Sequence, residues 1–272
     1  MVLTFVPMGW AFVLSFQHND LISPPHSVGL ANYKALPNDS ELRQAISNTV
    51  YFTLAVVPLE LILGLGVAIM LNQRIRLKSF YRTCFLVPFI ASAAAEGILF
   101  TFIFDPNFGA VNSLLHGMGF TRQGFLENPD QALYVMAAVY LWGYIGLNIV
   151  IYSAALQDVS AEVLEAAAID GAGAWARFRH VILPTVAPQT VFLAIWGLID
   201  SLQLFDLIYA TTKGGPLHAT ETVAYYIYDL VFGGVFFAAG YGAAVSVGLF
   251  AFTLIVVVLV SVLERRTYGA QL

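Results

Sequence analysis

The chain has 272 residues, of which 59% are apolar and 11% are Asp, Glu, Lys or Arg, and its mean hydropathy is +0.77. A soluble domain carries about 25% charged residues, so this composition excludes a water-compatible surface and places the chain among integral membrane proteins. The net charge of −5, with twelve basic residues scattered through loops, leaves no nucleic-acid footprint, and a single cysteine, Cys84, excludes an intrachain disulfide and a cysteine-based metal cluster.

In chain order, residues 1–16 are apolar from the start and lack the basic region and small-residue cleavage site of a signal peptide. They read as a first span, short of the roughly 20 residues a membrane helix needs, as if a cytoplasmic start were missing. Five further apolar runs follow at about 46–71, 83–104, 132–156, 186–209 and 241–263. Each is long enough to cross a hydrocarbon core of about 30 Å as a helix, and none alternates in polarity as barrel strands do. The expected architecture is an all-α membrane protein with six transmembrane helices in a single domain, 1–272. Val223–Phe237 is also apolar, but Asp229, Gly233 and Gly234 interrupt it, so it reads as interfacial or re-entrant and not as a seventh span.

Basic residues set the orientation. Arg74, Arg76, Lys78, Arg82, Arg177, Arg179, Arg265 and Arg266 fall on one side; Lys34, Arg43, Arg122 and Lys213 fall on the other. The richer side is expected in the cytoplasm with both termini, and loops 17–45, 105–131 and 210–240 face outward. Ser23-Pro24-Pro25, Asp105-Pro106-Asn107 and Lys213-Gly214-Gly215-Pro216 are turn formers within those loops.

The loop 157–185 is too polar to cross a membrane yet has helical order. Ser160 is placed to cap a helix start, Ala166 to Ala168 are strong helix formers, and Gly171 can adopt positive φ and stop the helix. A second amphipathic stretch puts Trp175, Phe178 and Val181 or Ile182 on one side, and Pro184 marks the return to the membrane. The small-residue face lets a partner's backbone approach closely, with Glu165 and Asp170 offering carboxylates; the alternative is a surface helix lying on lipid headgroups.

Glu165-Ala166-Ala167, three residues, Gly171, nine residues, then Val181-Ile182-Leu183-Pro184 resembles the EAA motif of ABC importer permeases, E-A-A-x3-G-x9-I-x-L-P, with Val181 in place of the usual Ile. Ala168 to Gly173 resembles the sugar-type branch. Ser160 stands where the family often has Pro, and Leu164 where Tyr is frequent. Ser27 to Tyr33, Ala45 to Tyr51 with Asn48-Thr49, Lys78 to Pro88, and Thr211 to Pro216 resemble further segments of the family, so the likeness extends along most of the chain.

The resemblance implies a type I ABC importer permease fold in a bacterial or archaeal cytoplasmic membrane. Residues 160–171 would form a coupling helix seated on an ABC ATPase subunit dimer, using Glu165, Ala166, Ala167, Asp170, Gly171, Ala172, Leu183 and Pro184. A second, paralogous permease would complete the pore, and an extracytoplasmic solute-binding protein would deliver a sugar, oligosaccharide or glycerol-phosphate-like solute. No cofactor is implied.

Within the spans, Glu60, Glu96, Asn148 and Asp200 are candidates to line the translocation path, or else to pack between helices. Asp206 could support the TTKGGP turn. Gly64 with Ala68 and Gly242 with Ser246 permit close helix contact. The five histidines, His18, His26, His116, His180 and His218, read as solvated loop residues without metal-ligand spacing. There is no P-loop and no Gly-Lys dipeptide at all, so ATP hydrolysis is expected on another subunit. The rival reading is a stand-alone secondary transporter or channel, which would show matched interrupted spans; the sequence displays none.

Overall fold

The computed structural model of the chain describes residues 2–73, 76–233 and 238–268, those from 264 to 268 by backbone alone. Arg74, Gly234 to Phe237 and the side chains of Arg265 and Arg266, used above for orientation and for the re-entrant segment, lie outside the described residues.

Helix α1 (Val2–Leu14) leads into a hairpin of β1 (Gln17–His18) and β2 (His26–Ser27), then the short α2 (Ala31–Ala35). Asp39 starts α3 (Ser40–Asn72): its Oδ1 accepts from the amides of Glu41 and Leu42, both at 3.0 Å. Two of the N–H groups that a helix start leaves without partners are thereby satisfied.

The expected continuous span 83–104 is instead two helices, α4 (Lys78–Ile90) and α5 (Ala93–Ile103), bent by 98°. Pro88 deprives the last turn of α4 of an N–H donor, and Ala91 and Ser92 are extended, with ψ of 157° and 129°. Helix α6 (Ala110–Gly117) follows. Helix α7 (Pro129–Ala155) is capped by Asn128, whose Oδ1 accepts from the Asp130 amide at 2.9 Å, with Pro129 in the first turn where no N–H is needed.

After α8 (Ala161–Ile169) comes α9 (Ala174–Arg177), a π-helical turn (Phe178–Ile182) and α10 (Leu183–Leu202). From Ala174 to Leu202 these form one 29-residue helical rod, so the second amphipathic stretch of the loop 157–185 and the span after it are one continuous helix. A proline normally clashes with the carbonyl four residues back. The wider π turn lies immediately before Pro184 and lets the helix pass through it.

The expected span 186–209 also stops early, at Leu202, and resumes as α11 (Asp206–Ala210). The break survives because the freed Leu204 carbonyl accepts the Thr222 hydroxyl at 2.7 Å. Helix α12 (Val223–Tyr228), a π turn (Asp229–Gly233) and α13 (Ala239–Tyr268) complete the described chain. Val223–Gly233, the described part of the apolar segment 223–237, is a short apolar helix. Of the six spans expected, four are helices long and apolar enough to cross a membrane among the described residues, the bent pair makes a fifth only if its two helices count as one span, and α1 has 13 residues.

Helix α7 is central, packed on α3, α4 and α10. One core joins Phe52 and Val56 to Met136, Val139 and Tyr140 and to Leu204, Leu207 and Ile208. A second, nearer α8, joins Leu65, Ala68, Tyr152, Leu156, Val186 and Leu193. Lipid tails are as apolar as these side chains, so close van der Waals fit between helices, not escape from water, holds such contacts together.

Candidate coupling site and buried polar cluster

Helix α8 projects at the end of the bundle where α3 finishes. Ser160 occupies the N-cap with extended backbone, but its hydroxyl makes no capping bond, contrary to expectation; the start rests on the Ser160 carbonyl, which accepts from Leu164 N–H at 3.3 Å. Gly171 has φ of +82° as expected. There the Ala172 amide reaches the Ala167 carbonyl at 2.9 Å and the Gly171 amide reaches Ala168 at 3.1 Å, the pairing that closes a helix through a left-handed residue.

Leu164 faces inward, into a groove with Ile69, Val159 and Ile182. Outward lie Val163 (50% exposed), Ile169 (87%) and Trp175 (70%), beside exposed Glu162, Glu165 and Asp170. Trp175 was expected on one side of its helix with Phe178 and Val181 or Ile182. It stands in the open, stacked on Phe178 at 5.3 Å, while Phe178 and Ile182 pack into the second core. Leu183 and Pro184 are exposed at the start of α10, apart from the α8 face.

The four membrane candidates divide. Glu60 is 2% exposed and lies against Gly197 of α10, where an added Cβ would overlap its Oε1. Asn148 is also buried, set against Gly64 of α3, with its Oδ1 unpartnered. Both sit between helices inside the subunit. Asp200 is half-buried and accepts the Tyr140 hydroxyl at 2.8 Å. Tyr140 stacks on Tyr144 at 4.2 Å, and Glu96 faces the same helix at Gly143. Glu60, Asp200, Glu96 and the two tyrosines thus form one acidic and aromatic cluster at the junction of α3, α5, α7 and α10. The tyrosines carried no signal in the sequence beyond their four-residue spacing.

The opposite end is held by residues to which sequence reading assigned no such role. Asn48 Nδ2 donates to the carbonyls of His218 and Glu221 at 2.8 and 3.0 Å. Thr49 Oγ1 accepts from the Val223 amide at 3.0 Å. His218 Nδ1 and Glu221 Oε2 lie 2.5 Å apart. The hydrogen bond to Glu221 is the main cause that pushes the imidazole of His218 above its usual range, and burial pushes the Glu221 carboxyl up. Asp39 Oδ2 accepts from the hydroxyls of Tyr226 and Tyr241, both at 2.6 Å. Burial works to raise Asp39, but those two bonds and the Leu42 and Glu41 amides outweigh it and hold the carboxyl below its ordinary range. Asp206 opens α11, with no side-chain bond to the TTKGGP turn among the described residues; Thr212 and Thr220, 2.6 Å apart, brace it instead. Of the histidines, His116 lies in α6 and His180 in the π turn, and His18 faces His26 across the hairpin, so they are not all loop residues.

The sequence profile of binding-protein-dependent transport system inner membrane components matches residues 60–268. The chain belongs to this family. This permease is 36% identical over 209 residues to the lactose transport system permease protein LacF of Rhizobium radiobacter, covering 75% of this chain and 70% of LacF. It is 34% identical over 209 residues to the sn-glycerol-3-phosphate transport system permease protein UgpA of Yersinia pestis, covering 76% and 70%. The fold matches a solved bacterial alginate ABC transporter, captured with a periplasmic protein holding an alginate pentasaccharide, at a TM-score of 0.82 and 20% identity over 97% of this chain and 88% of that one. The permease is an inner-membrane component of an ABC importer with a type I fold, and it is a transport component, not an enzyme. The interrupted spans α4/α5 and α10/α11, which sequence reading did not find, therefore belong to an importer permease and not to a stand-alone carrier.

Proposed function

We propose that this permease forms half of a translocation pore for a polar solute of the sugar, oligosaccharide or glycerol-phosphate-like class, driven from outside the membrane by an ABC ATPase dimer gripping α8. The observation that carries the reading is the free outward face of α8. A nine-residue helix presents Val163 and Ile169 to solvent beside small alanines, and a left-handed glycine fixes its end. Exposed apolar residues ringed by carboxylates are the signature of a docking surface. Glu165, Ala166, Ala167, Asp170, Gly171 and Ala172 make the contact, and Leu183 and Pro184 set the rod that receives the motion.

A second permease completes the pore, a solute-binding protein docks at the end held by Asn48 and Asp39, and both termini lie in the cytoplasm of a bacterial or archaeal cell. Asp200 with Tyr144 is the part of the polar cluster open enough to meet solute. The lactose and glycerol-phosphate relatives and the alginate transporter support the solute class.

The test is co-purification of the ATPase with Gly171 variants. A side chain at φ of +82° costs about 1–2 kcal/mol and has open space around it, so the cost falls on α8 alone. G171V should insert normally and lose the ATPase, while G171N, which tolerates the left-handed region, should retain more of it. Equal recovery with G171V and wild type would defeat the proposal.

A further inference from the structure

His18 and His26 are direct partners across the β1–β2 ladder. Their rings lie 5.0 Å apart between centroids, tilted by 44°, and both side chains are exposed at the end of the bundle opposite α8. Neither ring takes part in a hydrogen bond among the described residues.

The centroid spacing is close enough for two imidazoles to share one metal ion when each turns a ring nitrogen toward it. A metal about 2.0–2.1 Å from a ring nitrogen stands about 3.2 Å from that ring's centre, so a near-tetrahedral angle separates two such rings by about 5 Å.

The hairpin is also stiff. Asn32 Nδ2 donates to the carbonyls of Ser15 and Gln17 at 2.9 and 3.0 Å. The Gly240 amide donates to the Asn19 carbonyl at 3.2 Å, tying the hairpin to the start of α13. Asp20 closes the turn: its Oδ1 accepts from the amides of Ile22 and Ser23, and its Oδ2 accepts the Ser23 hydroxyl. The backbone that carries the two rings is therefore ordered before any ligand arrives, which lowers the cost of binding.

We propose that His18 and His26 form a bidentate site for a late first-row divalent cation, Zn²⁺, Ni²⁺ or Cu²⁺, with water in the remaining positions. Imidazole suits these ions, whereas Mg²⁺ and Ca²⁺ require oxygen ligands. No cluster of three or more His, Cys, Asp or Glu suited to a metal exists among the described residues, so the site is a surface chelate and not a closed structural centre. It is independent of the transport assignment, since neither residue belongs to α8 or to the membrane cluster.

The experiment is Zn²⁺ titration of the full chain in lipid nanodiscs, with any purification tag removed, for wild type, H18A, H26A, H18A/H26A and H218A. One Zn²⁺ should bind per chain. Each single variant of the pair should weaken binding about tenfold or more, because the second ligand acts at high effective concentration. The double variant should abolish binding, and H218A should match wild type. Cu²⁺ should give an electron paramagnetic resonance spectrum with two equatorial nitrogens that falls to one in either single variant, and Mg²⁺ should not compete. Zn²⁺ binding that survives in the double variant, or single variants indistinguishable from wild type, would overturn the proposal.

Discussion

Gly197 is the residue on which the buried acid cluster rests. A carboxyl group inside a membrane bundle is costly unless it faces another helix or a cavity, and Glu60 finds room only because α10 carries no side chain opposite it. G197A should push the Glu60 carboxyl out of its seat and destabilise the permease by about 1–3 kcal/mol, the usual range for overpacking. In an E60A background the same change should cost much less, because the overlapping atom is gone. Thermal unfolding of the four proteins in detergent measures this coupling, and simple additivity would show that Gly197 and Glu60 act independently. Tyr140 and Asp200 belong to the same cluster, so their variants should not be added to these as independent effects.

Among elements, the joint of α3, α12 and α13 is the most exposed to test. One carboxylate, Asp39, caps α3 and receives both tyrosine hydroxyls. Hydrogen bonds to a charged group contribute about 1.5–3 kcal/mol, so Y226F and Y241F should each lower the unfolding temperature. The double variant should lose more than the sum, since the two share one oxygen and either bond strengthens when the other is removed. The Asp39 carboxyl is depressed, so its contribution is present above the ordinary carboxylate value, near 4, and is lost as pH falls through the depressed one. His218 runs the other way. Its imidazole is raised, so its contribution is whole below about 6.5 and is lost as pH rises through the raised value. Glu221 is itself raised by burial, which confines the ion pair to the window between the two. Amide exchange over 211–222 should therefore quicken as pH climbs out of that window, once corrected for the intrinsic rate, and E221Q should flatten the response. A wild-type profile identical to that of E221Q would remove the pair from any role in holding the turn.

For the molecule as a whole, family membership places the motor elsewhere. Reconstituted transport should stop when the ATPase is withheld and should persist, in the short term, when a proton uncoupler is added; collapse with the uncoupler alone would contradict that. How much of this was readable from the sequence depended on whether the cause was local. Gly171 and the EAA spacing were legible because a left-handed stop and a fixed pattern are properties of neighbouring residues. The break at Ala91-Ser92 was not, since nothing but Pro88 marks it in an otherwise apolar run. Pro184 read as the foot of a membrane helix, and only the π turn before it shows that the helix continues back through it. The work of Asn48 was hidden because its partners lie some 170 residues along the chain. The pairing of Glu60 with Gly197 was hidden for the same reason.

That unbroken rod has a mechanical meaning. At about 1.5 Å per residue, Ala174 to Leu202 measures roughly 43 Å and carries Trp175 near one tip and Asp200 near the other. A tug on the indole would reach the carboxylate along one continuous helix, and the wider coil at Phe178–Ile182 is where that shaft would twist as it tilts.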